Sequence, residues 1–267
     1  MAIQLLAGAK ARQEIQQQGL KPERIKLMIG ASGGPKWLML SRLDQYISEH
    51  FLPPQQSLSL MGSSVGAWRM ACYAKQNPLA TFKEFEALYL EQRYSQPITP
   101  QAITIFVEEV LNALFDESGV QEVVNNPYRK LHVVAVRNRK LLSSSHAVIQ
   151  ALSLFTAATG NIFSPKIVEA LYPRVLISQH GSHEPYGFKP ETIDLTAGNL
   201  NQALTASGAI PVVLEPTKIT GGKDRLHWDG GMVDYHFSGP FNVDDGLVFY
   251  PHFFPKITPG WFDKGLP

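Results

Sequence analysis

A serine flanked by two glycines is the sharpest chemical signal in the sequence. Residues 62–66 read Gly–Ser–Ser–Val–Gly, which fits the pattern G-x-S-x-G with Ser64 at its centre. An apolar run precedes the pattern and helical spacing follows it, so we expect a strand, a sharp turn and a helix. The small residues Gly62 and Gly66 would let the serine project from the strand end above a helix N-terminus. We therefore predict that Ser64 is a nucleophile, with Ser63 as the weaker candidate.

A glycine-rich loop lies closer to the N-terminus, again between an apolar run and a helical pattern. Residues 30–36 read Gly–Ala–Ser–Gly–Gly–Pro–Lys. Such a loop presents backbone N–H groups beside a positive helix end, which suits an oxyanion or a phosphate. It is not a P-loop, because Trp37 follows Lys36 and the glycine spacing differs, and it does not fit G-x-G-x-x-G. A simple tight turn is the alternative.

A third signal is His227–Trp228–Asp229–Gly230–Gly231, late in the chain. A carboxylate followed by two glycines is most often only a turn. Its position after the other two motifs favours a functional interpretation.

Taken in order, the glycine-rich loop, the G-x-S-x-G and the D-G-G resemble the motifs of patatin-like phospholipases, over nearly the whole chain. Residues 206–211, Ala–Ser–Gly–Ala–Ile–Pro, look like the A-S-x-A-x-P segment of that family. The resemblance implies an α/β fold, a three-layer α/β/α sandwich around a mostly parallel sheet. It also implies a lipid or acyl-ester substrate, hydrolysed without a metal or another cofactor.

The same resemblance assigns roles to residues. It makes Ser64 the nucleophile and Asp229 the base of a Ser–Asp dyad, with Gly33 and Gly34 forming the oxyanion hole. The supporting residues would be Lys36, Gly62, Gly66, Gly230 and Gly231. The family loop commonly reads D-G-G-G-x-R-G, whereas Lys36 stands here for the arginine, without its bidentate fork, and Trp37 for a glycine.

The dyad chemistry is consistent with these residue types. Serine is a poor nucleophile at neutral pH and needs a positioned base. An ionised aspartate within hydrogen-bond reach of Ser64 Oγ can accept the proton directly. Because a resting aspartate is a weak base, much of the barrier must be lowered by the oxyanion hole and by positioning.

Three alternatives remain open from the sequence. Ser64, Asp229 and then His236 or His252 follow the order of a Ser–Asp–His α/β-hydrolase. His227, Asp229, Asp234 and His236 fall within ten residues and could supply metal ligands. A patatin-like scaffold that binds lipid or a partner without turnover is the third.

The elements that must position these residues alternate along the chain. Helical patterns cover residues 7–18, 36–51, 65–75, 79–93, 101–115 and 199–207, and strand-like runs cover 25–29, 57–61, 131–136, 174–177 and 246–250. Strands separated by helices favour a parallel sheet covered on both faces. We find no repeat or linker and predict one domain over residues 1–267. From about residue 252 the chain is rich in Pro, Gly and aromatic residues, and it either docks as a tail or stops short of a final helix.

Composition excludes several classes of protein. Hydrophobic residues make up 44% of the chain and charged residues 18%, which is incompatible with intrinsic disorder. A net charge of +1 gives no global field to recruit nucleic acid. The single cysteine, Cys72, excludes an intramolecular disulfide. Since neither a basic leader nor a membrane-spanning run is present, we expect a cytoplasmic protein with transient membrane-surface contact, of undetermined oligomeric state.

Two smaller groups of residues are expected to have structural and not catalytic roles. Phe82, Phe85, Tyr89 and Tyr94 recur near helical spacing and are expected in the core rather than in contact with lipid. The basic residues Arg137, Arg139 and Lys140 are expected in a solvated loop after a strand.

Overall fold

The computed structural model describes residues 3–93, 96–137, 147–182, 184–187 and 190–265. Tyr94, Arg139 and Lys140 lie outside these residues. The strands are β1 (Ile25–Gly30), β2 (Leu58–Ser63), β3 (Arg129–Arg137), β4 (Arg174–Ser178), β5 (Glu191–Asp194), β6 (His227–Asp229) and β7 (Leu247–Phe249). The helices are α1 (Ala9–Gln18), α2 (Leu38–Tyr46), α3 (Val65–Tyr73), α4 (Pro78–Leu90), α5 (Pro100–Leu114), α6 (Glu117–Val124), α7 (Ala147–Phe163), α8 (Pro165–Leu171) and α9 (Leu200–Ser207).

The described strands form one seven-stranded sheet in the order β5-β4-β3-β2-β1-β7, with β6 attached to β3. The strands β7, β1, β2 and β3 run parallel to one another, as do β4 and β5, while β4 and β6 are antiparallel to β3. The predicted mostly parallel sheet flanked by helices is therefore confirmed.

Apolar side chains cover both faces of the sheet. The larger cluster joins alternate strand residues, such as Leu60 and Val133, to the buried faces of the helices. The smaller cluster joins the intervening strand residues, such as Met61 and Val134, to Tyr186 and Phe237. Since successive strand residues point to opposite faces, the two clusters lie on opposite sides of the sheet.

Strand β6 continues the sheet beyond the end of β2. The last residue of β2, Ser63, is paired with Val134, and the next residue of β3, Ala135, is paired with Asp229. The other edge of β3 is already occupied there by β4, which is paired with Ala135 through Val175. Consequently β6 lies in line with β2, and the turn after β2 faces the end of β6.

Several helices begin at residues whose side chains satisfy their first free N–H groups. Asn77 accepts from Ala80 N before α4, Thr99 from Ala102 N before α5, and Asp116 from Gly119 N before α6. These are preferred N-cap residue types, and each is followed by a helix-compatible first turn. Within the described ranges, every helix is too short or too polar to cross a lipid bilayer.

The structure differs from the sequence expectations at several elements. The helix expected over 36–51 is divided into a 3₁₀ turn at Gly34–Trp37, the α-helix α2 and a π-helical turn at Ile47–Phe51. The helices α6, α7 and α8 and the strands β5 and β6 were not predicted. The end of the chain, expected without an element, contains a 3₁₀ helix at Trp261–Gly265.

Buried aromatic residues agree with another expectation from the sequence. Phe82 and Phe85 are fully buried, and Tyr89 is partly buried against the larger cluster, so these aromatics belong to the core. Cys72 is also buried, as a small hydrophobic residue, and its pKa is raised by that burial.

Candidate active site

The turn between β2 and α3 holds Ser64 in an unusual backbone conformation. Ser64 has φ 54° and ψ −139°, a region that residues with a Cβ rarely adopt. Such strain persists only where the surrounding structure enforces it. The turn therefore has the strained strand-to-helix geometry that the G-x-S-x-G pattern predicts.

Close backbone contacts enforce this conformation and explain the glycines of the motif. A Cβ at Gly62 would lie 2.5 Å from the carbonyl carbon of Gly66, and a Cβ at Gly66 would lie 2.2 Å from the carbonyl oxygen of Gly30. Distances this short are not tolerated between heavy atoms. The ends of β1 and β2 and the start of α3 thus touch through their backbones, and no larger residue fits at Gly30, Gly62 or Gly66.

The side chain of Ser64 points to Asp229. Its Oγ donates a hydrogen bond to Asp229 Oδ2 at 2.7 Å. Ser64 stands directly before α3 and makes no capping bond to that helix, so its hydroxyl is committed to the carboxylate. The second oxygen, Asp229 Oδ1, accepts from the N–H of Gly231 at 2.6 Å. Both residues are buried.

The environment of Asp229 makes it a stronger base than an ordinary aspartate. Burial raises its pKa to about 6, against the opposing effects of hydrogen bonds from Ser64 and Gly231 and of the positive charge of Lys264. At neutral pH the carboxylate is still mostly ionised, and its proton affinity is closer to that of a general base. The sequence expectation of a weakly basic aspartate is thereby modified.

The glycine-rich loop lies beside this pair. Ser32 Oγ and Ser63 Oγ are 2.7 Å apart, and Ser63 Oγ donates to the main-chain oxygen of Asp234 at 2.6 Å. Ser32 also anchors the loop by donating its N–H to Tyr235 O at 3.0 Å. The hydroxyl of Ser63 is therefore engaged in holding three segments together and does not face Asp229.

Gly33 and Gly34 are half-buried, and neither N–H donates to an acceptor within the part of the chain that the structure describes. Gly34 has φ 53°, a left-handed conformation that favours glycine. A Cβ at Gly33 would lie 2.4 Å from the ring of Phe253. Two N–H groups are thus available in a loop whose backbone needs glycine at both positions.

Lys36 is exposed at the end of this loop. Its Nζ lies 6.0 Å and 5.8 Å from the ring centres of Phe253 and Phe254. The ammonium group therefore adds positive charge close to the loop and does not hold the loop by a hydrogen bond in the described structure.

The segment that resembles A-S-x-A-x-P contacts both members of the pair. Ser207 Oγ accepts from the N–H of Ser64 at 2.8 Å and donates to Val134 O at 2.6 Å. Ala209 O accepts from the N–H of Asp229 at 3.0 Å. Sequence reasoning found this segment only by resemblance and gave Ser207 no role, although the serine ties the strained turn to β3.

The two histidines of the triad alternative are engaged elsewhere. His236 Nδ1 accepts from Thr258 N at 2.8 Å, and His252 Nδ1 is paired with the main chain of Phe254. Burial and the neighbouring positive charges lower the pKa of His236 to about 4, so the ring is neutral at pH 7. No hydrogen bond in the described structure joins either histidine to Ser64 or Asp229.

The residues of the metal alternative are not brought together. Asp234 receives two hydrogen bonds from Arg174, at 2.7 Å and 3.1 Å, and a third from the hydroxyl of Tyr186. His227 pairs through its backbone with Thr217. Among the residues that the structure describes, no group of three or more His, Cys, Asp or Glu side chains could hold a metal ion. The Asp234–Arg174 pair was not predicted.

Comparison with known families agrees with this geometry. The sequence model described as patatin-like phospholipase matches residues 58–236, which is two thirds of the chain and includes Ser64 and Asp229. The chain belongs to this family. The match starts at β2, so the glycine-rich loop lies outside it, and it is shorter than the nearly complete resemblance expected from the motifs. A comparison with curated protein sequences returns no match.

Proposed function

We propose that the protein is a serine acyl hydrolase that cleaves carboxylic esters of lipids through an acyl-enzyme on Ser64, with Asp229 as the base. The observation that carries the proposal is the 2.7 Å hydrogen bond from Ser64 Oγ to Asp229 Oδ2 at a strained strand-to-helix turn. Membership of the patatin-like phospholipase family supports lipid esters as the class of substrate.

In the first half-reaction, Ser64 Oγ attacks the ester carbonyl carbon while its proton passes to Asp229. The carbonyl oxygen becomes an oxyanion, which the N–H groups of Gly33 and Gly34 stabilise. When the tetrahedral intermediate collapses, the bond to the leaving alcohol breaks and that oxygen takes the proton from Asp229. The acyl group remains on Ser64.

In the second half-reaction, water attacks the acyl-enzyme and gives a proton to Asp229. The second intermediate collapses, Ser64 Oγ recovers the proton and the fatty acid leaves. The pKa of about 6 at Asp229 supports both directions of transfer, because a base near the working pH accepts and returns a proton readily. As proposed, neither half-reaction uses a metal ion or an organic cofactor.

Labelling with a fluorophosphonate probe tests the proposal, because the probe reacts only with an activated serine. The wild-type protein should be labelled and Ser64→Ala should not. Ser63→Ala is the matched control, since Ser63 is an adjacent buried serine whose hydroxyl faces a main-chain carbonyl. Labelling of a folded Ser64→Ala protein would refute the assignment of Ser64, and an unlabelled, folded wild-type protein would favour the non-catalytic alternative.

A further inference from the structure

The helix α7 (Ala147–Phe163) turns its polar side chains inward. Gln150, Ser153 and Asn161 are each at most 7% exposed. Each is hydrogen-bonded inside the protein: Gln150 Oε1 accepts from Val212 N, Ser153 Oγ lies 2.6 Å from Tyr172 Oη, and Asn161 Nδ2 donates to Asp263 Oδ1 at 2.6 Å. The usual amphipathic pattern of a surface helix, with polar residues outward, is therefore reversed here.

The opposite side of α7 is apolar and exposed. Its large side chains, which we call the outer face, are between 60% and 84% exposed; they are Val148, Leu152, Phe155, Ile162 and Phe163. The spacing of the first four places them on one stripe of the helix. No Asp, Glu, Lys or Arg occurs anywhere in α7.

Even the hydroxyl groups beside the outer face are satisfied without water. Thr156 Oγ1 donates to Leu152 O and Thr159 Oγ1 donates to Phe155 O, both at 2.8 Å. A hydroxyl bonded back to its own helix can enter an apolar medium without losing a hydrogen bond. The outer face is thus suited to leave water.

The outer face is linked to both sides of the candidate active site. Asn161 donates a hydrogen bond to Asp263, which belongs to the 3₁₀ helix at Trp261–Gly265. This helix contacts Gly230–Met232, the turn that directly follows Asp229. Gln150 holds Val212, three residues beyond Ala209, whose carbonyl accepts from Asp229 N. Whatever binds to the outer face is therefore brought next to the segments that carry Asp229.

The charges that border the outer face are complementary to anionic lipid. The acidic neighbours are engaged with the protein, because Glu169 contacts Arg174 at 3.1 Å and Asp263 accepts from Asn161. Lys166 is exposed and forms no ion pair among the described residues, whereas the Nζ of Lys264 lies 3.8 Å from the ring centre of Tyr235. The free charge beside the outer face is therefore the positive charge of Lys166.

We propose that the outer face of α7 docks on an anionic lipid surface and so presents lipid esters to Ser64; this rests on the proposed function. A helix with an apolar face lies in the plane of the lipid interface, and basic residues at its border add attraction to anionic headgroups. A lipid surface is favoured over a second copy of the chain because Ser64 is buried and its substrates reside in lipid aggregates, so an occluded outer face would hinder access.

Flotation with vesicles of ether-linked phosphatidylcholine tests the docking, with and without about one third ether-linked phosphatidylglycerol. Ether lipids cannot be hydrolysed at the chain linkage by an acyl hydrolase, so binding is measured apart from turnover. The wild-type protein should bind the anionic vesicles more tightly. Phe155→Ser/Phe163→Ser should lower partitioning by about a hundredfold, since two large apolar side chains no longer enter the interface.

The matched control is Tyr46→Ser/Leu90→Ser, two exposed apolar residues on α2 and α4. This control should partition like the wild type. Lys166→Glu should reduce binding to the anionic vesicles by about fivefold or more and leave binding to pure phosphatidylcholine unchanged. All variants should hydrolyse a water-soluble p-nitrophenyl ester at the wild-type rate.

Equal partitioning of Phe155→Ser/Phe163→Ser and the wild type would overturn the docking proposal, as would a wild type that binds neither vesicle. A wild-type dimer that becomes a monomer in the double variant, measured by light scattering, would assign the outer face to a second copy instead. A protein that floats as expected but hydrolyses no ester would support docking and refute the proposed function alone.

Discussion

Asp229 and Asp234 are close in sequence and both are buried, yet they are bound by different partners. Asp229 is bound by a neutral hydroxyl and a backbone N–H, at 2.7 Å and 2.6 Å. Asp234 is bound by the guanidinium of Arg174, at 2.7 Å and 3.1 Å, and by the hydroxyl of Tyr186. One carboxylate has no direct cationic partner and the other has a bidentate one.

The two environments show how the partner of a buried carboxylate decides whether it can accept a proton. A buried carboxylate without a bound cation is raised in energy when ionised and accepts a proton readily. A carboxylate held by arginine is neutralised in place, and its geometry fixes the neighbouring chain. Asp234 holds the segment whose main chain receives the hydroxyl of Ser63, while Asp229 receives the hydroxyl of Ser64.

Replacement of Asp229 should lower activity and raise stability. Asp229→Asn should lower kcat by about 10⁴-fold, the scale for losing the carboxylate of a serine hydrolase. The free energy of unfolding of the same variant should be higher than that of the wild type at neutral pH, by up to about 3 kcal/mol. The reason is that the pKa of Asp229 is raised from 3.8 to about 6 in the folded state. Kinetics and urea denaturation measure the two effects.

The stability gain of Asp229→Asn should depend on pH. Above pH 6 the wild-type protein carries a buried charge, which the variant lacks. The gain should fall between about pH 6 and pH 4 and vanish near pH 3, where both the folded and the unfolded wild type hold the proton. Lower stability of Asp229→Asn than of the wild type at neutral pH would contradict a raised pKa at Asp229.

Asp234→Asn should have the opposite effect on stability. It leaves the guanidinium of Arg174 buried without its main partner, which costs about 3–5 kcal/mol in comparable pairs. The folded fraction should keep a kcat within about tenfold of the wild type, since Asp234 touches neither Ser64 nor the proposed oxyanion site. Chemical denaturation with kinetics normalised to active sites measures both. A collapse of kcat in fully folded Asp234→Asn would contradict the structural assignment.

A third prediction concerns Gly33 and Gly34, which we propose as the oxyanion hole beside Asp229. Gly34→Ala should lower kcat by about a hundredfold or more, because an alanine disfavours φ 53° and moves the N–H groups away from the oxyanion. The matched control is Gly19→Ala, at φ 77° and likewise without a heavy atom within 4 Å of the added Cβ. Gly19→Ala should lose about as much stability as Gly34→Ala, since both alanines are placed at a positive φ, and should keep the wild-type kcat. Equal kinetics of the two variants would refute the oxyanion role of the loop.

The pH profile of kcat/KM should follow the titration of Asp229. Since Asp229 must be ionised to accept the proton of Ser64, kcat/KM should fall tenfold per unit as pH drops below about 6. Above that pH the profile should be level through neutrality. A midpoint near 4 would indicate that Asp229 titrates as an ordinary exposed aspartate and that burial does not tune the base.

The pairing of Ser64 with Asp229 was more predictable from the sequence than the residues that support the pair. Ser64 and Asp229 stand in motifs whose residue types are dictated locally, by backbone crowding around the turn and by the need for a carboxylate. The roles of Arg174 and Ser207 could not be predicted, because each depends on a partner far along the chain: Arg174 on Asp234, and Ser207 on Ser64 and Val134. No local pattern records such pairing.

Two of the elements that were not predicted, β6 and α7, escaped prediction for different reasons. Strand β6 has three residues, His–Trp–Asp, and owes its conformation to pairing with β3 rather than to an apolar run. The helix α7 hides its polar side chains and exposes its apolar ones, so its periodicity could not be interpreted with the usual rule that apolar residues face the core. The longer strands β1 to β4 were predicted because their side chains are buried on both faces.

The position of β6 also sets the moment during synthesis at which Ser64 can meet Asp229. The two residues are separated by 165 positions, and translation adds about 5–20 residues per second, so Asp229 leaves the ribosome on the order of ten seconds after Ser64. Until β6 joins β3, the emerging chain carries the serine without its carboxylate partner. If Asp229 is the base, as proposed, a chain that is released before this residue has been added carries no catalytic pair.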